Sequence, residues 1–221
     1  MQNKPQNLSF CIHCTLPSAN CLCDLAPTLT LTTNTHILFH PRELERRNSS
    51  GRLLKHCLNI PSTKWHRLKN VQLESEFKGY ALLYPTDNQS NASSDNLTLS
   101  QNKDKTLKPK GYLWIDATWQ ESRKMLNQSP WLNQLPKYAI SAQSVSSLNS
   151  LDSIGLKSAA VLPNSQYKLR RNQTEQGLCT IETFSYWLYE QNQVKSAQDL
   201  LNFFNQFQTA FLAARNFGLF K

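Results

Sequence analysis

The order of elements along the chain predicts an α/β fold with a mainly parallel sheet. Three observations carry this. Short apolar runs at 35–39, 79–84 and 112–116 read as buried strands. Amphipathic stretches at 52–58, 117–125 and 181–189 read as helices. The two kinds alternate, which is the pattern of a sheet covered by helices. With 221 residues, 39% of them hydrophobic, the chain can bury one core and carry appendages. Polar, asparagine-rich stretches dilute that average and read as a loop, not as global disorder.

The first element is a cysteine cluster. Cys11-x-x-Cys14 is followed by Cys21-x-Cys23, four of the six cysteines within one short segment. Two close thiolate pairs on tight turns can present four sulfurs to one tetrahedral zinc. Residues 1–30 are therefore expected to form a zinc knuckle that leads a main domain over 31–221. The N-terminus lacks the apolar stretch of a signal peptide, and no run approaches the roughly 20 apolar residues of a spanning helix. The expected compartment is the cytoplasm, with no membrane contact, where thiols stay reduced and metal binding is favoured over disulfides. Four thiolates close the shell, so the zinc is expected to be structural and His13 to be a surface histidine. Cys57 and Cys179 stand alone and read as small buried hydrophobes.

The strand at 35–39 ends at His40-Pro41, where proline stops the ladder. Arg42 to Arg47 and Asn48-Ser-Ser-Gly51 precede the helix from Arg52, with Ser49 or Ser50 as its N-cap. The strand at 79–84 closes at Pro85. Residues 86–110 have no periodicity and read as a surface insertion. Tyr112 to Asp116 is the third strand and opens into a helix. Short strands are also expected at 137–140 and 159–162. Thr180 is placed to cap the helix at 181–189. The tail from Ser196 to Arg215 carries Leu200, Phe203, Phe204, Phe207 and Phe211 on helical spacing, which suits a core-facing helix.

The charge of +9 suits a polyanionic partner, since each phosphate contact by Lys or Arg releases counterions; it equally suits a soluble surface with no partner. No G-x-G-x-x-G, P-loop or G-x-S-x-G is present, which removes the usual dinucleotide, nucleoside-triphosphate and hydrolase readings.

Three constellations remain. Asp116-Ala-Thr-Trp119 lies where a strand gives way to a helix, the position at which open α/β sheets bind ligands. There a carboxylate can act as a base and an indole can stack on a nucleobase or adenine. The same residues also fit a capping Asp and a core Trp. His40-Pro-Arg-Glu43 with Arg46-Arg-Asn-Ser49 offers cations for phosphates or a carboxylate, or else a solvated loop. Tyr167-Lys-Leu-Arg-Arg171, followed by Gly177-Leu-Cys-Thr180-Ile-Glu182, suits nucleic-acid or cofactor contact, or an ordinary strand, loop and helix.

Taken in this order, the motifs resemble those of the DTW-domain family, named for Asp-x-Thr-Trp, here Asp116, Thr118 and Trp119. The resemblance covers nearly the whole chain. It includes both cysteine pairs, His40-Pro41-x-Glu43, Asn48-Ser49, Tyr167-x-Leu-Arg170 and Leu178-x-Thr180-x-Glu182. The family often has glycine where this chain has Ala117, and the 86–110 insertion belongs to none of its motifs. Bacterial members are tRNA-uridine aminocarboxypropyltransferases, related in fold to SPOUT methyltransferases. The resemblance thus implies a SPOUT-like knotted, mainly parallel sheet with flanking helices. It implies S-adenosylmethionine as co-substrate, tRNA as partner, and no obligatory protein partner. Asp116 would be the base that frees N3 of uridine. Thr118, Trp119, Leu178, Thr180 and Glu182 would line the cofactor pocket. Arg170 would hold the cofactor's carboxylate, and Arg171 an RNA phosphate. His40, Glu43, Arg46, Arg47 and Asn48 would face the RNA. Two rival readings are a SPOUT-like RNA methyltransferase and a non-enzymatic zinc-knuckle RNA-binding module. The module leaves the Asp116 and Thr180 regions unexplained.

Overall fold

The computed structural model describes residues 9–67, 71–84, 108–140, 165–169 and 177–220. Among these residues, five strands form one sheet: β1 (Asn34–Phe39), β2 (Ser62–Lys64), β3 (Tyr80–Leu83), β4 (Gly111–Asp116) and β5 (Lys137–Tyr138). Their order is β2-β1-β4-β3-β5, and every pair is parallel. All carboxyl ends therefore lie on one edge, with β4 in the middle. The longest ladder sets Asn34 opposite Gly111 and Phe39 opposite Asp116.

Alternation along the strands splits the core in two, because successive side chains point to opposite faces. Ile37, Phe39, Ala81, Leu83, Tyr112 and Trp114 face one cluster, and Leu38, Leu82 and Leu113 face the other. Both faces are thus apolar, as a parallel sheet covered on both sides requires. Helices α2 (Ser50–Leu58), α6 (Thr180–Glu190) and α7 (Val194–Asn216) cover the first face. Helices α4 (Trp119–Asn127) and α5 (Pro130–Gln134) cover the second, joined there by Phe77 just after α3 (Val71–Glu76).

The tail is the core-facing helix its spacing predicts: Ala197, Leu200, Phe203, Phe204, Phe207 and Phe211 are all buried. No helix among the described residues is long and apolar enough to cross a membrane. The N-terminal segment, with turns at Ser18–Asn20 and Cys23–Leu25, packs onto the first core through Cys14 and Leu16.

Some local expectations need correcting. Pro41 does not merely stop β1: it occupies the first turn of a short helix, α1 (Pro41–Glu45), because a fixed φ and a missing N–H cost nothing there. Cys179, not Thr180, is the N-cap of α6, with Glu182 closing a capping box. Trp119 is not a core residue; it is 56% exposed. β2, α3 and α5 carry too little periodicity to be read from the chain. The strand expected at 159–162 and most of the 86–110 insertion lie outside the described residues. So do residues 141–164 and 170–176, with which the expected knot would be traced.

Candidate active site

Four chain segments meet at the carboxyl edge of the sheet: the ends of β1 and β4 and the first turns of α2 and α6. Asp116 is the last residue of β4 and is buried, at 2% exposure. Each of its carboxylate oxygens accepts a hydroxyl. Thr180 Oγ1 donates to Oδ1 at 2.5 Å, and Ser49 Oγ donates to Oδ2 at 2.8 Å. Ser49 is the N-cap of α2 and Thr180 lies in the first turn of α6. Helix N-termini carry partial positive charge, so both favour the carboxylate as an anion. Gly51, in the first turn of α2, allows this approach. A Cβ there would sit 2.5 Å from the Asp116 carboxyl carbon.

Beside Asp116, Thr118 caps α4 in a full capping box: Thr118 N and Oγ1 donate to Glu121 at 3.0 and 2.8 Å. Glu121 also takes both guanidinium nitrogens of Arg46, each at 3.1 Å. Arg46 reaches on to the fully buried Glu43. Burial raises the Glu121 carboxyl, but the Thr118 donors and Arg46 outweigh it and hold it at about 2. His40 stacks on Trp65 with ring centroids 5.8 Å apart. Its Nδ1 accepts from Arg42 N at 3.3 Å, and burial lowers its pKa against the pull of Glu121. Its 3.5 Å approach to Glu121 is an ion pair only when the ring is protonated, which burial disfavours.

Several expected contact residues are thus occupied by the protein itself. Arg46 is shared between two carboxylates. Arg47 lies over the Phe10 ring, 4.0 Å from its centroid and 5.6 Å from that of Phe220, which stacks on Phe10. Asn48 donates to Leu169 O, and Tyr167 OH donates to Asn48 O. Glu182 accepts from Cys179 N, Gln166 N and Ser165 Oγ, which fastens 165–167 to α6. Leu178 is partly buried against the first core. Arg170 and Arg171 lie outside the described residues. The structure brings together Asp116, Thr180, Thr118, His40 and Glu43, and adds Ser49, Gly51 and Glu121. The Glu121 role had a local signal, since Thr118-x-x-Glu121 is a capping-box pattern.

At the N-terminus, the sulfurs of Cys11, Cys14, Cys21 and Cys23 all lie within 4.8 Å of one another. Cys11 and Cys23 are 3.5 Å apart, and Cys14 and Cys21 3.8 Å. A tetrahedral zinc with Zn–S of about 2.3 Å needs sulfurs ~3.8 Å apart, so this donor set fits one ion. Burial raises the Cys11 thiol, yet the N–H groups of Cys14 and His13 outweigh it and bring it down to about 7, whereas burial holds the Cys14 and Cys23 thiols above their ordinary value. His13 is exposed and stacks on His56, with centroids 4.7 Å apart. Cys57 is the buried thiol expected, pushed up to about 12 by burial; Cys179 is buried likewise.

A buried carboxylate thus lies between two helix N-termini at the carboxyl edge of a parallel α/β sheet, the edge at which open α/β sheets bind ligands. The chain belongs to the DTW-domain family, whose family model it matches over residues 8–212. It is also 30% identical over 147 residues to tRNA-uridine aminocarboxypropyltransferase A of Arabidopsis thaliana. That match covers 58% of this chain and 54% of the relative, so the chain spans about half the length of the curated protein it resembles. No solved structure matches the chain significantly.

Proposed function

We propose that the protein moves the 3-amino-3-carboxypropyl group of S-adenosylmethionine to N3 of a tRNA uridine in the cytoplasm. The observation that carries this reading is the carboxylate of Asp116, held by two hydroxyls at the ligand-binding edge of a DTW-domain chain. The name of the plant relative supports the substrate and the transferred group. S-adenosylmethionine, bound as co-substrate, supplies an electrophilic γ-carbon: the N3–carbon bond forms, the carbon–sulfur bond breaks, and methylthioadenosine leaves with the electron pair.

Uridine N3 is a poor nucleophile until its proton leaves, so the site needs a base acting as the new bond forms. Asp116 serves as that base through Thr180. The Thr180 hydroxyl is half-buried and directs its own proton at Oδ1, which leaves its lone pairs free to accept from N3–H. As N3 gives its proton to Thr180, Thr180 passes its own to Asp116. Ser49 keeps the second carboxylate oxygen fixed. Leu178, partly buried against the first core, would give the co-substrate an apolar wall. Thr118 and Glu182 spend their polar atoms on helix caps, so they shape the pocket by fixing α4 and α6. Arg170 and Arg171 are proposed to meet the co-substrate carboxylate and an RNA phosphate. Cys11, Cys14, Cys21 and Cys23 would hold a structural zinc, since four thiolates leave no position for water or substrate.

The test is mass spectrometry of nucleosides from unmodified tRNA incubated with the protein and S-adenosylmethionine. The expected result is an aminocarboxypropyl-uridine with release of methylthioadenosine. A methyl gain with adenosylhomocysteine would overturn the chemistry, and unmodified tRNA would overturn the enzyme reading.

A further inference from the structure

The site described above does not use the outer face of the Trp119 indole. This side chain sits in the first turn of α4, three residues beyond Asp116, and is 56% exposed. It is not loose. Tyr84, itself buried, stacks beneath it with ring centroids 5.4 Å apart and planes at 15°. Ser122 Oγ donates to Trp119 O at 2.9 Å, and the Tyr84 hydroxyl reaches that same Oγ at 3.4 Å. The Thr118 capping box fixes the backbone just before it. A flat aromatic surface is thus held rigidly at the rim of the ligand-binding edge.

Cations flank it. Arg123 is exposed one helical turn along α4, on the side of Trp119. The exposed Lys137 ammonium lies 6.0 Å from the Tyr84 ring centroid. Neither forms an ion pair within 4.0 Å among the described residues, in contrast to Arg46. Pockets for small ligands bury most of the ligand surface. An indole that is half exposed at a rim does not provide that enclosure. An exposed aromatic face with cations nearby that no carboxylate holds is the arrangement that binds single-stranded nucleic acid, by base stacking and phosphate contact.

We infer that Trp119 stacks a nucleobase of an unpaired tRNA loop, with Arg123 and Lys137 on its phosphates. This assigns Trp119 to the RNA and not to the S-adenosylmethionine pocket. It rests on the tRNA reading above and names how that substrate is held. The uridine to be modified, or its neighbour, stacks on the indole and comes within reach of Thr180 and Asp116.

The experiment measures binding of two probes to the full chain: unmodified tRNA and methylthioadenosine. Trp119→Ala is expected to weaken tRNA binding by about five- to a hundredfold, with Trp119→Phe recovering most of it. Methylthioadenosine affinity should stay within about twofold in both. Arg123→Ala should lower the slope of log affinity against log salt by about one, while Trp119→Ala leaves that slope unchanged. The proposal is overturned if Trp119→Ala leaves tRNA binding intact, or if methylthioadenosine binding falls as far as tRNA binding. Neither probe requires turnover. A wild-type protein that binds tRNA through Trp119 yet modifies no uridine would sink the transferase reading and leave this one standing.

Discussion

Thr180 donates its hydroxyl to Asp116 at 2.5 Å, joining the first turn of α6 to the end of the central strand across 64 residues of sequence. Ser49 makes the matching bond from α2 to the other oxygen. One carboxylate therefore fixes two helix starts, and two helix starts fix one carboxylate. A group so placed can do chemistry or hold the fold, and kinetics separates the two.

Asp116→Asn and Thr180→Val should lower kcat by about 10²- to 10⁴-fold, the usual worth of a positioned acid or base. Binding of S-adenosylmethionine, read by equilibrium dialysis, should be retained in both variants. A loss of binding equal to the loss of rate would make the pair a structural clasp instead.

Gly51→Ala tests the packing around that carboxylate. Within a helix this change normally stabilises by about 0.5–1 kcal/mol. Here the new Cβ would meet the Asp116 carboxyl carbon at 2.5 Å and both its oxygens at 2.6 and 2.8 Å. The sign should reverse: the melting temperature falls and turnover falls with it. A stabilised, fully active variant would show that Asp116 moves freely.

Glu121→Gln removes the partner of Arg46 and weakens the capping box of α4. The wild-type carboxyl is held at about 2, below its ordinary 4.5. Its folded value is depressed, so its stabilisation is complete above about 4.5 and is lost as pH falls towards about 2. Melting temperatures followed from pH 6 to about pH 2 should decline less steeply in the variant than in wild type. Parallel curves would mean that Arg46 is satisfied without Glu121.

The central strands were legible because the runs at 35–39 and 112–116 are short, largely apolar and have clear ends. The cysteine cluster was legible because its four residues are close in sequence. What joins the site was not. The Ser49–Asp116 and Thr180–Asp116 bonds link residues more than 60 positions apart and leave no local trace. Arg46 and Arg47 read as free cations because Glu121, Phe10 and Phe220 lie far along the chain, although the other Arg46 partner, Glu43, is only three residues away. Trp119 read as core or pocket because periodicity does not show which face of a first helical turn meets solvent. The substrate reading came from the ordered set of motifs, not from any single one.

The cysteine knuckle should govern the order of the site loop, not only its own. Thr15, between the two thiolate pairs, donates to Arg47 O at 2.6 Å. Arg47 in turn lies against the Phe10 and Phe220 rings, and Arg46 to Ser49 carry the contacts to Glu121 and Asp116. Purified protein should contain one zinc per chain by elemental analysis. Chelation should lower the melting temperature and raise hydrogen exchange both at 11–23 and at 46–49, while β4 stays protected. Cys21 is exposed and Cys14 is buried beside Leu16. Cys21→Ser should therefore reproduce the chelated state, whereas Cys14→Ser should cost further stability by placing a hydroxyl in the core. If exchange at 46–49 is unchanged when the metal leaves, apolar packing of Leu16 alone seats the knuckle, and the ion serves only its own loop.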